Sequence, residues 1–543
     1  MTCLLADNIL SPLGTTTADN LEALIGGRSA LRRQDDPRRL LAPHTASLFP
    51  ERLSFEELAM RSAREALFRA SVNLERTVFI LSTTKGSPGE TPGETALRIA
   101  QSLGITTTPI TVCNACVSGL SALILGQRLL DSGVYDYAVV TGADVQTDFI
   151  VSGFQSLRAL SADPCRPFDM ERTGLNLGEA AATVVLGPDS EAPGAWRVAK
   201  GSVHNDAFHT TQPDRRGDGL RRCLVDVTAG WDPADIALIN AHGTATLFND
   251  QMEAVAIARA GLAGVRVNGL KGYYGHTLGA AGLLETILTA HALDRGLIPG
   301  TRGYAECGVS EPLLISPDHQ PSAGRTFVKT ISGFGGCNAA VLMTKDAAFE
   351  KSVSAEGSSW RTAATVDLTP DNLSIGGEDQ HQSAGTTAGL TALYKQFCPD
   401  YPHFYRMDPL SRLGHVAAEL LLQSETALTD EERDSRAVIL FNRSSSAISD
   451  ARHLESIAQA DNFFPSPSTF IYTLPNIVTG EIAIRHRLHG ETSFFILPGR
   501  DEHLEQIILG ATLPQTTASS VITGWIDAAD EHHFEAHLRL LKR

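Results

Sequence analysis

Positive charge is scarce in this 543-residue chain: 45 lysines and arginines stand against 62 acids, a formal net charge of −17. That balance argues against general nucleic-acid binding, and an acidic partner would need a local basic patch. No uninterrupted apolar run reaches the roughly 18 residues of a membrane-spanning helix, so none is expected. The start, Met-Thr-Cys-Leu-Leu-Ala-Asp-Asn, has no basic stretch and an early acid, unlike a secretory leader. Cysteine is sparse. The eight present are scattered, with neither zinc-type pairing nor the density of a disulfide framework. Cys113 and Cys116 form a C-x-x-C, but no second pair or thioredoxin-like context accompanies it. Together these absences suggest a reducing, cytoplasmic compartment.

What is present is globular in character, 43% apolar with 20% charged, and long enough for two or three domains. Apolar runs at 76–82, 135–142, 180–187 and 236–240 read as buried strands, and 327–330 with 339–343 as a hairpin. Helical periodicity marks 17–25, 55–70 and 280–293, and the Gly/Pro-rich stretch 86–93 reads as loop. Buried strands alternating with helices predict a layered α/β fold. Composition shifts after Lys345. Residues 1–346 form the first domain of this reading, 347–359 a polar linker, and 360–543 a separate unit. That unit echoes the first: 436–445 resembles 76–85, 494–500 resembles 110–116, and 508–510 resembles 124–126. In that register Arg500 stands where Cys116 does, and a guanidinium is no nucleophile.

The stretch Ile110-Thr-Val-Cys-Asn-Ala-Cys116-Val-Ser-Gly119 reads as strand, tight turn and helix, with a thiol at the helix N-terminus. Unpaired N–H groups and the positive dipole end favour thiolate there. Four other stretches bear on it: His242 in Asn240-Ala-His-Gly-Thr244-Ala-Thr246; Lys271 and His276 in Lys-Gly-Tyr-Tyr-Gly-His; Ser332-Gly333-Phe334-Gly335-Gly-Cys-Asn338; and Arg166-Pro-Phe-Asp169 with Gly178-Glu179. A capping thiol, two histidines in Gly-flanked loops and a Gly-rich loop suit acyl-thioester chemistry, in which the thiol takes the acyl group and N–H donors hold an oxyanion. Arg61, Arg64 and Arg69 lie near one helix face and suggest a docking patch, with Arg215, Arg216, Arg221 and Arg222 as a weaker one.

In order and spacing these motifs, with Ser11-Pro-Leu-Gly14 and Gly26-Gly-Arg-Ser29, resemble the β-ketoacyl-(acyl carrier protein) synthases over roughly residues 4 to 345. The resemblance implies a thiolase-like α-β-α-β-α fold and a Cys116-His242-His276 enzyme without metal or redox cofactor. Cys116 would accept an acyl chain from acyl carrier protein or coenzyme A. The histidines would bind malonyl thioester and support decarboxylative Claisen condensation to a 3-oxoacyl product, in fatty-acid or polyene/polyketide-type synthesis. Backbone N–H groups of Cys116 and Phe334 would hold the oxyanion, and Lys271 and Glu179 would orient the histidines. Ser332, Gly333, Gly335, Thr244 and Thr246 would line the pocket. Two departures stand out. Ser332 occupies a position where many elongating members carry an aromatic gate. The Pro-Asn segment with its helix is missing or shortened between Lys85 and Ile105, and reappears around Asn476. The second unit thus resembles a synthase N-terminal half that has lost its thiol, and the expected assembly is a homodimer or an internal pseudo-dimer. The rival readings are a noncatalytic chain-length or scaffold subunit, and a thiolase-like acyltransferase using Cys337.

Overall fold

The computed structural model describes residues 1–346 and 359–543 except 37 and 39. The expected linker therefore lies, apart from residue 359, outside the described residues.

The first sheet contains β1 (Thr2–Leu10), β2 (Thr77–Ser82), β3 (Ile110–Val112), β4 (Tyr137–Asp144) and β5 (Ala180–Pro188). β3, β2 and β4 run parallel in that order; β5 then pairs antiparallel with β4, and β1 antiparallel with β5. A second sheet repeats this plan with β6 (Arg197–Asn205), β7 (Leu238–Asn240), β8 (Val267–Asn268), β9 (Thr326–Gly333) and β10 (Cys337–Thr344). Here β8, β7 and β9 are parallel, and β10 and β6 follow antiparallel. Between the sheets lie two helices, Ser118–Asp131 and Ala281–Asp294, buried on nearly every face, as their all-round small and apolar composition requires. They meet at glycines: a Cβ on Gly119 would stand 2.7 Å from the Gly279 carbonyl oxygen, and one on Gly282 2.6 Å from the Leu120 nitrogen. The amphipathic helices Phe55–Phe68 and Asp218–Thr228 cover the outer faces. The layers are α-β-α-β-α, as expected.

Residues 361–542 supply β11 (Arg361–Leu368), β12 (Ala437–Asn442), β13 (Thr492–Ile496), β14 (Ser520–Ala528) and β15 (Phe534–Lys542). Their order, β13, β12, β14, β15, β11, with the first three parallel and the last two antiparallel, is that of the first sheet. Arg500 sits two residues before the helix Glu502–Thr512, as Cys116 sits two before Ser118–Asp131.

The C-terminal strands join the first sheet edge to edge. β13 pairs antiparallel with β3 (Phe495 with Val112, Ile496 with Thr111), so the two sheets are continuous. Ile439, Phe441, Phe495, Ile508 and Trp525 belong to the same apolar core as Val112, Leu120 and Leu123. A change of composition along the chain says nothing about which sheet edge the following strands will seek. Residues 92–102, expected to be partly loop and short of a helix, form the helix Pro92–Ser102, with proline at its first turn.

Two buried ion pairs cross the seam: Lys85 with Asp450 at 2.5 Å and Arg128 with Glu491 at 2.8 Å. Breaking a buried pair leaves one charge uncompensated, at a cost of about 3–5 kcal/mol. Glu491→Ala should therefore lower the free energy of unfolding in urea by about that amount. A loss of less than about 0.5 kcal/mol, the size of an ordinary surface effect, would mean that the pair does not hold the seam.

Candidate active site

β3 ends at Val112, and the chain turns through Ala115, whose φ of 48° lies in the left-handed region that side chains rarely adopt. A short 3-10 turn, Ala115–Val117, then delivers Cys116 to the start of the helix Ser118–Asp131. The thiol lies at the floor of a cavity of about 420 Å³ whose walls include His242, Thr244, Thr246, His276, Ser332, Gly333 and Phe334. Gly333 permits close approach: a Cβ there would be 3.2 Å from the Cys116 nitrogen. Behind Cys116 a narrower apolar recess of about 20 Å³ runs between Ile150, Phe154, Leu278 and Phe334 to Phe470 and Leu474 of the C-terminal segment.

His242 follows β7, and both edges of its peptide are held. Glu253 accepts hydrogen bonds from the backbone N–H of His242 and of Gly243, each at 2.7 Å. On the other edge, Lys271 Nζ donates to the His242 carbonyl at 2.6 Å and to Glu285 Oε1 at 2.8 Å. His276 accepts at Nδ1 from the Leu278 N–H at 3.2 Å, which leaves the ring proton on Nε2. That Nε2, and Nδ1 of His242, meet no protein partner among the described residues. The two rings stand 4.9 Å apart and nearly perpendicular, and the Cys116 sulfur and one nitrogen of each ring all lie within 4.8 Å of one another.

Burial, helped by the Lys271 charge, holds both imidazoles well below their ordinary value of 6.5, so they are uncharged at neutral pH. Burial also pushes the Cys116 thiol up to about 12, against a smaller pull from Lys271. The sequence reading favoured thiolate at the helix terminus; in the closed site desolvation is the larger effect and the resting group is the thiol. One thiol and two neutral imidazoles around a common point can accept an acyl group and donate hydrogen bonds to a developing oxyanion.

Several expectations need correction. Glu179 does not reach the histidines: its carboxylate accepts from Phe49 N and Gln146 N, both at 3.0 Å. Glu253 contacts the His242 backbone instead, and Glu285 contacts Lys271 and Lys329. Gly335 faces away from the cavity, toward Asn476, whose side-chain N–H₂ donates to the Phe334 carbonyl at 2.9 Å. Cys337 also points to the C-terminal segment, its sulfur 3.6 Å from the Thr492 carbonyl oxygen, which removes the acid/base of the thiolase-like reading. Ser332 does line the cavity, with its hydroxyl donating to Asn338 at 2.6 Å and no aromatic ring at that position. Arg61, Arg64 and Arg69 are exposed; Arg61 pairs with Glu57 at 3.7 Å and Arg69 with Glu65 at 2.7 Å. Arg216 and Arg221 face Asp218, and Arg222 faces Asp434. The sequence reading missed Glu253, Glu285, Lys329 and Phe470. The available signal was a charge inside otherwise apolar segments, as in Phe-Val-Lys329-Thr-Ile.

Comparison with known proteins agrees with this geometry. The chain matches the β-ketoacyl synthase N-terminal domain over residues 58–192 and the C-terminal domain over 197–305. Nodulation protein E of Rhizobium meliloti is 32% identical over 290 residues, which span 51% of this chain and 71% of that protein. The 3-oxoacyl-[acyl-carrier-protein] synthase 2 of Mycobacterium leprae (strain TN) is 31% identical over 250 residues, 43% of this chain and 60% of that one. Among solved structures, the ishigamide ketosynthase/chain length factor aligns at 27% identity and a TM-score of 0.58, covering 63% of this chain and 98% of that one. The PfaC keto synthase-chain length factor spans 100% of this chain and 78% of its own, with a TM-score of 0.74 at 15% identity, a likeness of fold alone. The fold and site define a thiolase-like condensing acyltransferase. The chain belongs to the β-ketoacyl synthase family, whose Claisen condensations build fatty acids and polyketides.

Neutral imidazoles set an acid limit. Carbon dioxide release from a malonyl thioester should stay level as pH falls through 6.5, because both rings titrate well below that value. A loss of rate centred on 6.5 would show that an unperturbed histidine governs the step.

Proposed function

We propose that the protein is a 3-oxoacyl-(acyl carrier protein) synthase in which Cys116 is the nucleophile and His242 and His276 serve the malonyl thioester. The observation that carries this reading is the convergence of one thiol and two uncharged imidazoles within 4.8 Å at the floor of the cavity.

The Cys116 sulfur attacks an acyl-carrier thioester, the carrier thiol leaves, and the cysteine proton goes with it. Malonyl-carrier then enters with its thioester carbonyl between the rings. His276 Nε2–H donates to that oxygen, with His242 beside it. Loss of carbon dioxide leaves an enolate whose oxygen these donors stabilise. The enolate carbon attacks the Cys116 thioester, the oxyanion is held by the N–H groups of Cys116 and Phe334, and the thiolate departs and is reprotonated. Thr244 and Thr246, whose hydroxyls are 2.9 Å apart on the cavity wall, are suited to the amides of the carrier's arm. The exposed arginines 61, 64 and 69 are the candidate docking face for an acidic carrier.

In the same reading, residues 361–542 are a noncatalytic partner fused in cis. Strand order and the position of Arg500 support that role, and a covalent partner gains effective concentration over a free one. Phe470 and Leu474 close the recess behind Cys116, so this segment limits the acyl chain.

Intact-protein mass spectrometry tests the chemistry. Acyl-carrier should add one acyl group at Cys116, and malonyl-carrier should then discharge it as 3-oxoacyl product; no adduct with any acyl length would point to a scaffold subunit instead. Phe470→Ala opens the recess and should shift the preferred acyl donor to longer chains by roughly tenfold in kcat/KM, the scale of a few methylenes in an apolar pocket. An unchanged chain-length profile would detach the C-terminal segment from substrate selection.

A further inference from the structure

Lys329 is a charged residue in the middle of an apolar strand, β9, and its side chain is wholly buried. The reaction outlined above does not use it. A buried ammonium persists only where acceptors replace its lost water. Lys329 Nζ has three: Glu285 Oε2, the Ala241 carbonyl at 3.1 Å and the Asn240 carbonyl at 3.4 Å. Lys271 takes the other oxygen of Glu285 and the carbonyl of His242. Two ammonium groups thus share one carboxylate and hold three consecutive carbonyls, 240 to 242. Glu253 holds the N–H edge of the same loop.

We propose that Lys329 is a positioning residue for decarboxylation: with Lys271 and Glu285 it fixes the carbonyl edge of the His242 loop, and it places a second ammonium group behind the two imidazoles. This rests on the condensing reading. The charged and titratable groups facing Lys329 are Glu285 from the helix Ala281–Asp294, Lys271, Glu253 from the helix Leu247–Arg259, and the two histidines. Lys271 and Lys329 set two ammonium groups behind the rings, with Glu285 bridging them and Glu253 across the loop, and the lysine charges oppose protonation of either ring. Burial is the larger influence on both rings, and the Lys329 charge acts in the same direction.

Two variants of the full chain separate the parts. Lys329→Met removes charge and hydrogen bonds at similar volume; Lys329→Gln keeps a donor without the charge. Cys116 acylation is followed by intact mass, and carbon dioxide release from malonyl-carrier by kcat and KM from about pH 5 to 9. Acylation should stay within about threefold of wild type, while kcat for decarboxylation falls about tenfold or more in Lys329→Met with KM little changed. The acid limb of kcat should move to higher pH in both variants, and Lys329→Gln should recover part of kcat without restoring the limb. An unchanged kcat and limb would overturn the proposal. So would an equal loss of acylation and decarboxylation in both variants, which would make Lys329 a packing residue. Wild-type protein that acylates Cys116 yet releases no carbon dioxide would sink the condensing reading itself, a result separable from any effect of Lys329.

Discussion

The site depends on a short seam, the antiparallel meeting of Ile110–Val112 with Thr492–Ile496. An unpaired strand edge beside a reactive thiol would invite pairing with any other chain. Here the edge is covered by the same polypeptide, and the pairing does not stop where the strand does. The Cys113 N–H donates to the Phe494 carbonyl at 3.1 Å, and the Phe494 N–H to the Asn114 side chain at 2.7 Å. The turn that carries Cys116 is thus tied to the C-terminal segment up to two residues before Cys116 itself. The Gly-rich loop on the opposite wall is tied to it as well, through Asn476 and Phe334. Without those contacts the strained backbone at Ala115 would be free to relax and take the thiol out of register.

The second constraint is electrostatic. The loop carrying His242 is buried, and each of its backbone groups needs a partner. Carboxylates on its N–H side and ammonium groups on its carbonyl side supply stronger hydrogen bonds than neutral groups would. Burial keeps the rings uncharged, and the ammonium groups act in the same direction. A protonated imidazole would add positive charge beside Lys271 in a medium that already penalises it, so the neutral form prevails and presents an N–H to the cavity. An uncharged donor suits an oxygen that is neutral in the bound thioester and becomes negative only as carbon dioxide leaves.

Much of this was legible in the sequence because it is local. The thiol follows an apolar strand and precedes a small-residue helix, so its position at the helix start could be read directly. The two histidines could be placed in loops by their flanking glycines. A layered α/β fold followed from strand and helix periodicity, and the α-β-α-β-α order from the family resemblance. What could not be read was which distant carboxylate reaches a given loop. Glu179 lies in a motif of its own and was the visible choice. Glu253 and Glu285 lie on helices whose faces a single sequence does not orient, and only packing turns Glu253 toward His242 and Glu285 toward Lys271 and Lys329. The composition break after Lys345 was visible, but the sheet edge that the following strands join was not. Phe494, Phe495 and Ile496 are apolar on both faces of a strand, which signals burial without naming the neighbour.

The C-terminal segment also bears on the shape of the recess. A pocket built between two chains varies with how often they meet, whereas one closed by its own chain does not. Gly153, on the helix Asp148–Ser156, shows how closely the two parts fit: a Cβ there would lie 2.1 Å from the Phe470 ring. Phe470 in turn packs edge-on against Phe149 and Phe154, beside His453. A ring held on three sides cannot swing aside without moving its neighbours. The recess behind Cys116 is therefore bounded by the packing of the C-terminal segment, through Phe470 and Leu474.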